Sequence, residues 1–194
     1  MSALLPQHYA LTEALVAAAG AIAIARTARV SPWFAIGLGP FAIAGLVGAI
    51  RIGAEVTGPI ELLHQILSRP GALFGLGCLV GVLAGQTGWR PPFIGLAAAA
   101  IAVLEPVFGM SAFVGLILLG TVLAYRARPE SAKLAASSFS LLLIGRLATD
   151  VLRSAHPALA WHMFHLVVAI WLLVLAAVVL PHKLREPTAK GGSR

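Results

Sequence analysis

The hydrophobic residues of this chain come in blocks of about 17 to 25, separated by short breaks that are basic or marked by proline and glycine. Wound as a helix at about 1.5 Å per residue, a block of that length covers the roughly 30 Å hydrocarbon core of a bilayer. Lipid offers no water to the backbone amides, so each block must satisfy them internally as a helix. Composition excludes a water-soluble domain: 59% of the residues are hydrophobic and 11% charged, against roughly 25% charged in soluble domains. The expected fold class is all-α, a polytopic integral membrane protein built as a seven-transmembrane-helix bundle.

The predicted spans are 8–24, 32–55, 71–86, 93–105, 110–127, 132–153 and 157–180. Between the second and third lies the stretch 59–69, P-I-E-L-L-H-Q-I-L-S-R. Its polar residues Glu61, His64, Gln65 and Ser68 share one helical face, and Leu62, Leu63, Ile66 and Leu67 the other. This is an amphipathic helix, lying in the membrane interface or forming the first turns of a long third span. The fourth span is short, with an apolar core of about twelve residues before Glu105, and pairing with the fifth as a re-entrant hairpin would change the count. No Lys or Arg precedes the first block, so it reads as a retained helix. The single cysteine, Cys78, sits inside an apolar segment and offers neither a disulfide framework nor a cysteine metal site. One transmembrane domain, 1–181, and a basic tail, 182–194, account for the chain.

A net charge of +7 would point to nucleic acid in a soluble protein. Here the basic residues cluster in loops and tail. With the C-terminus inside, Arg26, Arg29, Arg90, Arg126, Arg128, Lys133, Lys183, Arg185, Lys190 and Arg194 are cytoplasmic, and only Arg51, Arg69, Arg146 and Arg153 of the 14 lie on the other side. The positive-inside rule then sets the N-terminus outside and the C-terminus in the cytoplasm. The expected location is a plasma membrane of the bacterial inner-membrane kind. Expected partners are membrane lipid and other membrane subunits or further copies of the chain, with no nucleic acid.

In that topology the ionisable residues within the spans gather toward the outer end: Glu13, Arg51, Glu55, Glu61, His64, Glu105, Arg146, Asp150, His162 and His165. Charges at that depth are costly and pair with one another or line a polar cavity. His162 and His165 are three apart on one helix face, as are Glu61 and His64, and two such pairs facing each other have the donors for zinc or iron. Asp150 or Glu61 would serve as general base, while Arg51, Glu55, Arg146, Glu105 and Glu13 would hold a ligand such as a lipid headgroup. Plainer readings compete. The two late histidines would be interfacial if 163–180 spans alone, and the polar face of 59–69 would be wet. Arg51 with Glu55 and Arg146 with Asp150 have the i,i+4 spacing of intrahelical salt bridges. Trp33, Trp89, Trp161 and Trp171 fall mostly near span ends, where tryptophan anchors helices.

Seven spans, an outer N-terminus and histidines opening the last helix resemble the superfamily of seven-helix membrane hydrolases that includes alkaline ceramidases and progestin/adipoQ receptors. That resemblance implies zinc held by three histidines and hydrolysis of a lipid amide or ester, with His64 as the early ligand and His162 and His165 as the late pair. The family's late spacing is H-x-x-x-H, whereas this chain has H-x-x-H, and no serine and aspartate partners flank His64 in the family order. Beside a metal-dependent hydrolase stand two other classes: a non-catalytic subunit or ligand-binding protein of a larger membrane assembly, and a haem- or quinone-binding redox subunit with His64 and one late histidine as axial ligands. Proton or ion transport would draw on the same carboxylates.

Overall fold

A computed structural model describes residues 6–104, 106–127 and 132–179. Secondary structure among them is helical throughout: α1 (Tyr9–Thr27), α2 (Pro32–Gly53), α3 (Pro59–Ser68), α4 (Pro70–Leu83), α5 (Arg90–Leu104), α6 (Pro106–Ala127), α7 (Ala132–Leu152) and α8 (Pro157–Val174), the last running on into a π-helical turn, Leu175–Val179. Proline opens α2, α3, α4, α6 and α8. Its fixed φ suits the first turn, and the amide it lacks has no helical partner there. At the start of α2 the Ser31 hydroxyl also accepts from the Phe34 amide at 3.3 Å, a side-chain cap.

Among the described residues, five helices are long and apolar enough to cross a membrane: Tyr9–Thr27, Pro32–Gly53, Pro59–Leu83, Phe108–Arg126 and Pro157–Ala177. The third of these joins α3 to α4. Of the remaining expected spans, α5 has 15 residues, about 22 Å of helix and short of the hydrocarbon thickness. The other, α7, is long enough at 21 residues but carries Lys133, Arg146, Asp150 and three serines.

α1, α2, α4, α6, α7 and α8 pack in that order around a closed ring, with α5 outside against α4 and α6, and α3 outside against α2 and α4. The core fills the ring. Trp171 of α8 is fully buried, edge-on to Phe41 of α2 at 4.9 Å and to Phe139 of α7 at 6.2 Å, with Leu38, Leu76, Leu79, Ile117 and Leu142 around it. Trp171 is thus a core residue and not the interface anchor that its type favours; Trp89, 67% exposed, keeps the anchor position. Outward-facing apolar side chains such as Leu96, Val103, Ile144 and Val151 are what lipid requires of a bundle's rim.

Small residues bring α1 and α2 close, as expected where helices associate in lipid by contact alone. A β-carbon on Gly20 would stand 2.5 Å from that of Ala42, and one on Gly45 would stand 2.8 Å from the backbone of Glu13 and Ala17. The two helices are joined by a turn of four residues, so the first turns of α1 lie beside the last turns of α2. Tyr9 stacks on Trp161 at 5.0 Å, which brings the start of α8 to the same end.

Candidate functional site

Glu13 is one turn into α1 and 2% exposed, the one carboxylate among the buried residues described. Its Oε1 lies 3.4 Å from Nε2 of His64 on α3 and 3.2 Å from Nε2 of His165 on α8. Three helices thus contribute one side chain each to a single centre. The carboxylate rests on Gly48 of α2, where an added β-carbon would stand 2.5 Å from Cδ and 2.7 Å from each oxygen. Only a residue without a side chain leaves room for it.

The hydrogen bonds around His165 set the charge balance of this centre. Its Nδ1 is 2.8 Å from the Trp161 carbonyl, and a carbonyl only accepts, so Nδ1 carries a proton and donates. A neutral imidazole then has a bare lone pair on Nε2, which lies 3.2 Å from a carboxylate oxygen. Two acceptors do not hold that distance in a low-dielectric interior without positive charge between them. Oε1 itself is buried and accepts no aligned hydrogen bond. A proton between them, on Nε2 or on the carboxyl oxygen, or a cation in its place, completes the pair. The Trp161 ring stacks on His165 at 4.5 Å and holds the imidazole plane in place.

His162 is turned away from this centre. Its Nδ1 pairs with Thr12 Oγ1 at 3.1 Å, and its ring lies 5.2 Å from that of His8 and edge-on to Tyr9. His64 and His165 are brought together, but the set His64, His162 and His165 is not. Three residues of spacing rotate side chains far enough around a helix that only one of this pair reaches Glu13. Among the described residues no three His, Cys, Asp or Glu side chains are arranged to hold a metal ion. The three-histidine zinc set does not fit these positions.

The other expected residues divide between the neighbourhood of the centre and the rim. Arg51 reaches across to Glu61 of α3 at 3.7 Å and does not form the intrahelical pair with Glu55 that its spacing suggests. The reason is local: α2 stops at Gly53, and Glu55 lies beyond it with φ +54, off the helical register. There it closes a helix-end motif in which the Val56 amide donates to the Arg51 carbonyl at 2.9 Å, while its carboxylate accepts from Gln7 Nε2 at 2.9 Å. Arg146 and Asp150 form the expected i,i+4 pair at 3.0 Å, 31% and 47% exposed and with no contact to Glu13. Glu105 and the tail 182–194 lie outside the described residues.

The polar face of α3 is the largest departure from the simple reading. Glu61 and His64 turn into the bundle, toward Arg51 and Glu13, and Leu62, Leu63 and Ile66 turn out, at 59%, 46% and 49% exposure. That is inside-out for a water-soluble protein and normal for a helix beside lipid. Sequence reasoning missed Thr12, Trp161 and Gly48 as parts of the site. Glu13, His64 and His165 each carried a signal as ionisable residues in apolar segments, whereas Thr12, Trp161 and Gly48 carried none that tied them to the site. Comparisons with protein-family models, with curated proteins and with solved structures find no match to this chain.

Proposed function

We propose that this is a polytopic membrane protein of seven spans, N-terminus outside, acting as a non-catalytic binding or assembly subunit whose working group is a proton-exchanging centre, Glu13 with His64 and His165. The observation that carries the reading is the 3.2 Å approach of His165 Nε2 to the buried Glu13 oxygen while Nδ1 is committed to the Trp161 carbonyl. One proton shared there is gained or lost as a unit, because neither group is stable alone in its unpaired charged form. Such a step changes the charge between α1, α3 and α8, the helices that meet at the centre. The outward apolar faces of α5 and α6 leave ample surface for lipid or for other membrane chains.

Two features weigh against the hydrolase and haem alternatives. A hydrolytic centre of the three-histidine kind needs His162, which is engaged with Thr12. Axial haem ligation needs a porphyrin between two opposed imidazoles, and the Glu13 carboxylate fills the place between His64 and His165.

The test is an infrared pH titration of the protein in lipid together with elemental analysis, for wild type, Glu13→Gln and His165→Ala. A carboxyl band that appears with acidification in wild type, vanishes in Glu13→Gln and moves in His165→Ala supports the proposal. One metal ion per chain, lost in both variants, would replace the proton with a metal and sink it.

A further inference from the structure

We propose that α3 is a lid over the Glu13 centre, pinned shut by polar contacts and hinged at both ends. This rests on the proton-exchanging reading of that centre and assigns its access control to a particular segment. α3 has ten residues, none of them buried, and of its apolar side chains only Ile60 and Leu67 are half-buried, so little apolar burial holds it to the bundle. Among the described residues its charged contacts are two: His64 on Glu13 and Glu61 on Arg51. The second is loose, at 3.7 Å, and the Arg51 Nε is buried without a hydrogen-bond partner.

Both ends of α3 are joints. Gly58 precedes it at φ +77, ψ −124, a conformation open to glycine, and Arg69 follows at φ −112, ψ −86, outside the helical region. Pro59 and Pro70 start the helices on the far side of each joint. Residues at the ends of an element absorb the φ/ψ change of a hinge movement, and a tilt of α3 away from α2 about the Arg69 joint parts both contacts while α3 and α4 remain one span. Swinging out costs little apolar burial, because Leu62, Leu63 and Ile66 already face outward and suit the membrane interface. Behind α3 lies a carboxylate that is 2% exposed. Removing His64 opens one of the two flanks of Oε1, leaving His165 of α8 on the other and Arg51 of α2 and Glu61 of α3 without each other.

Amide exchange by mass spectrometry on the detergent-purified full chain reads the motion, and a hydrophobic carbodiimide reads the access. The reagent takes the proton of a carboxylic acid onto one nitrogen, the carboxyl oxygen bonds its central carbon, and acyl transfer to nitrogen leaves a stable N-acylurea on the residue. Arg51→Gln should raise exchange of the 59–68 segment by about two- to fivefold, the range for loss of a partly exposed ion pair, with α4 unchanged, and should raise labelling of Glu13 in proportion. Glu61→Gln should repeat both effects without altering α2. Unchanged exchange in both folded variants sinks the lid by itself. Raised exchange with no carbodiimide adduct on Glu13 in any variant, at acidic pH included, sinks the proton-binding reading and with it the claim that α3 guards such a site.

Discussion

Gly48→Ala is the sharpest perturbation of the centre, because it adds one carbon at a place where the available space is defined. The new β-carbon would stand 2.5 Å from Cδ of Glu13 and 2.7 Å from each carboxylate oxygen, whereas ordinary contact starts at 3.4 Å. The carboxyl group therefore has to retreat by roughly 0.9 Å, the difference between those two distances. That is enough to disturb contacts to His64 and His165 that stand at 3.4 and 3.2 Å. Overpacking of this kind costs about 1–3 kcal/mol, while replacing glycine within a helix returns about 0.5–1 kcal/mol. Gly115 of α6 provides the control: it lies within a helix and away from any proline, and an added β-carbon there meets nothing within 4 Å. The propensity gain is common to both variants, so their difference isolates the contact with Glu13 at about 1–3 kcal/mol. Reversible unfolding in mixed micelles measures it, with the infrared titration of Glu13 run alongside. Gly115→Ala should be more stable than wild type, and Gly48→Ala should be less stable than Gly115→Ala and titrate differently. Equal stability of the two variants, with the Glu13 titration unmoved in Gly48→Ala, would refute the packing argument.

Three further expectations follow from other positions. Glu55→Gly should stabilise the fold by about 1 kcal/mol, since a left-handed residue costs about 1–2 kcal/mol when it has a side chain and the exposed Gln7 hydrogen bond offsets only part of that; Gly85 at φ +74 already plays this part at the end of α4, and a lowered unfolding midpoint would count against the reasoning. Arg146→Ala should change stability by less than about 0.5 kcal/mol, as for exposed i,i+4 pairs, and should leave the Glu13 titration where it was, because Arg146 and Asp150 touch only each other among these groups; a shifted titration would mean that the rim pair and the centre are coupled. Cys78, 0% exposed, should resist a maleimide in the folded protein and react on unfolding, and rapid labelling of the native state would show α4 to be less buried than its packing implies.

How much of this was legible in the sequence varies by level. Helix positions were, because prolines and apolar block lengths are local features: the expected starts at 32, 59, 132 and 157 are the observed ones. The polar layer was legible as a set of residues, since any ionisable group in an apolar block demands a partner. The partnerships were not. Arg51 lies four residues before Glu55 and pairs with Glu61 instead, a choice made by where α2 ends. His162 and His165 looked equivalent three residues apart, and the rotation of α8 against α1 gives one to Thr12 and the other to Glu13.

The sequence by itself determined that this chain is a set of apolar helices with its charges confined to particular turns, because the cost of charge and of unpaired amides in lipid acts on each segment separately. Only the tertiary structure decided that Glu13 of α1, His64 of α3 and His165 of α8 share one centre. Their separations of 51 and 152 residues leave no periodic trace, and their meeting depends on helix rotation, on the room left by Gly48 and on the inward turn of α3. Those are properties of packing between helices, which no single segment encodes.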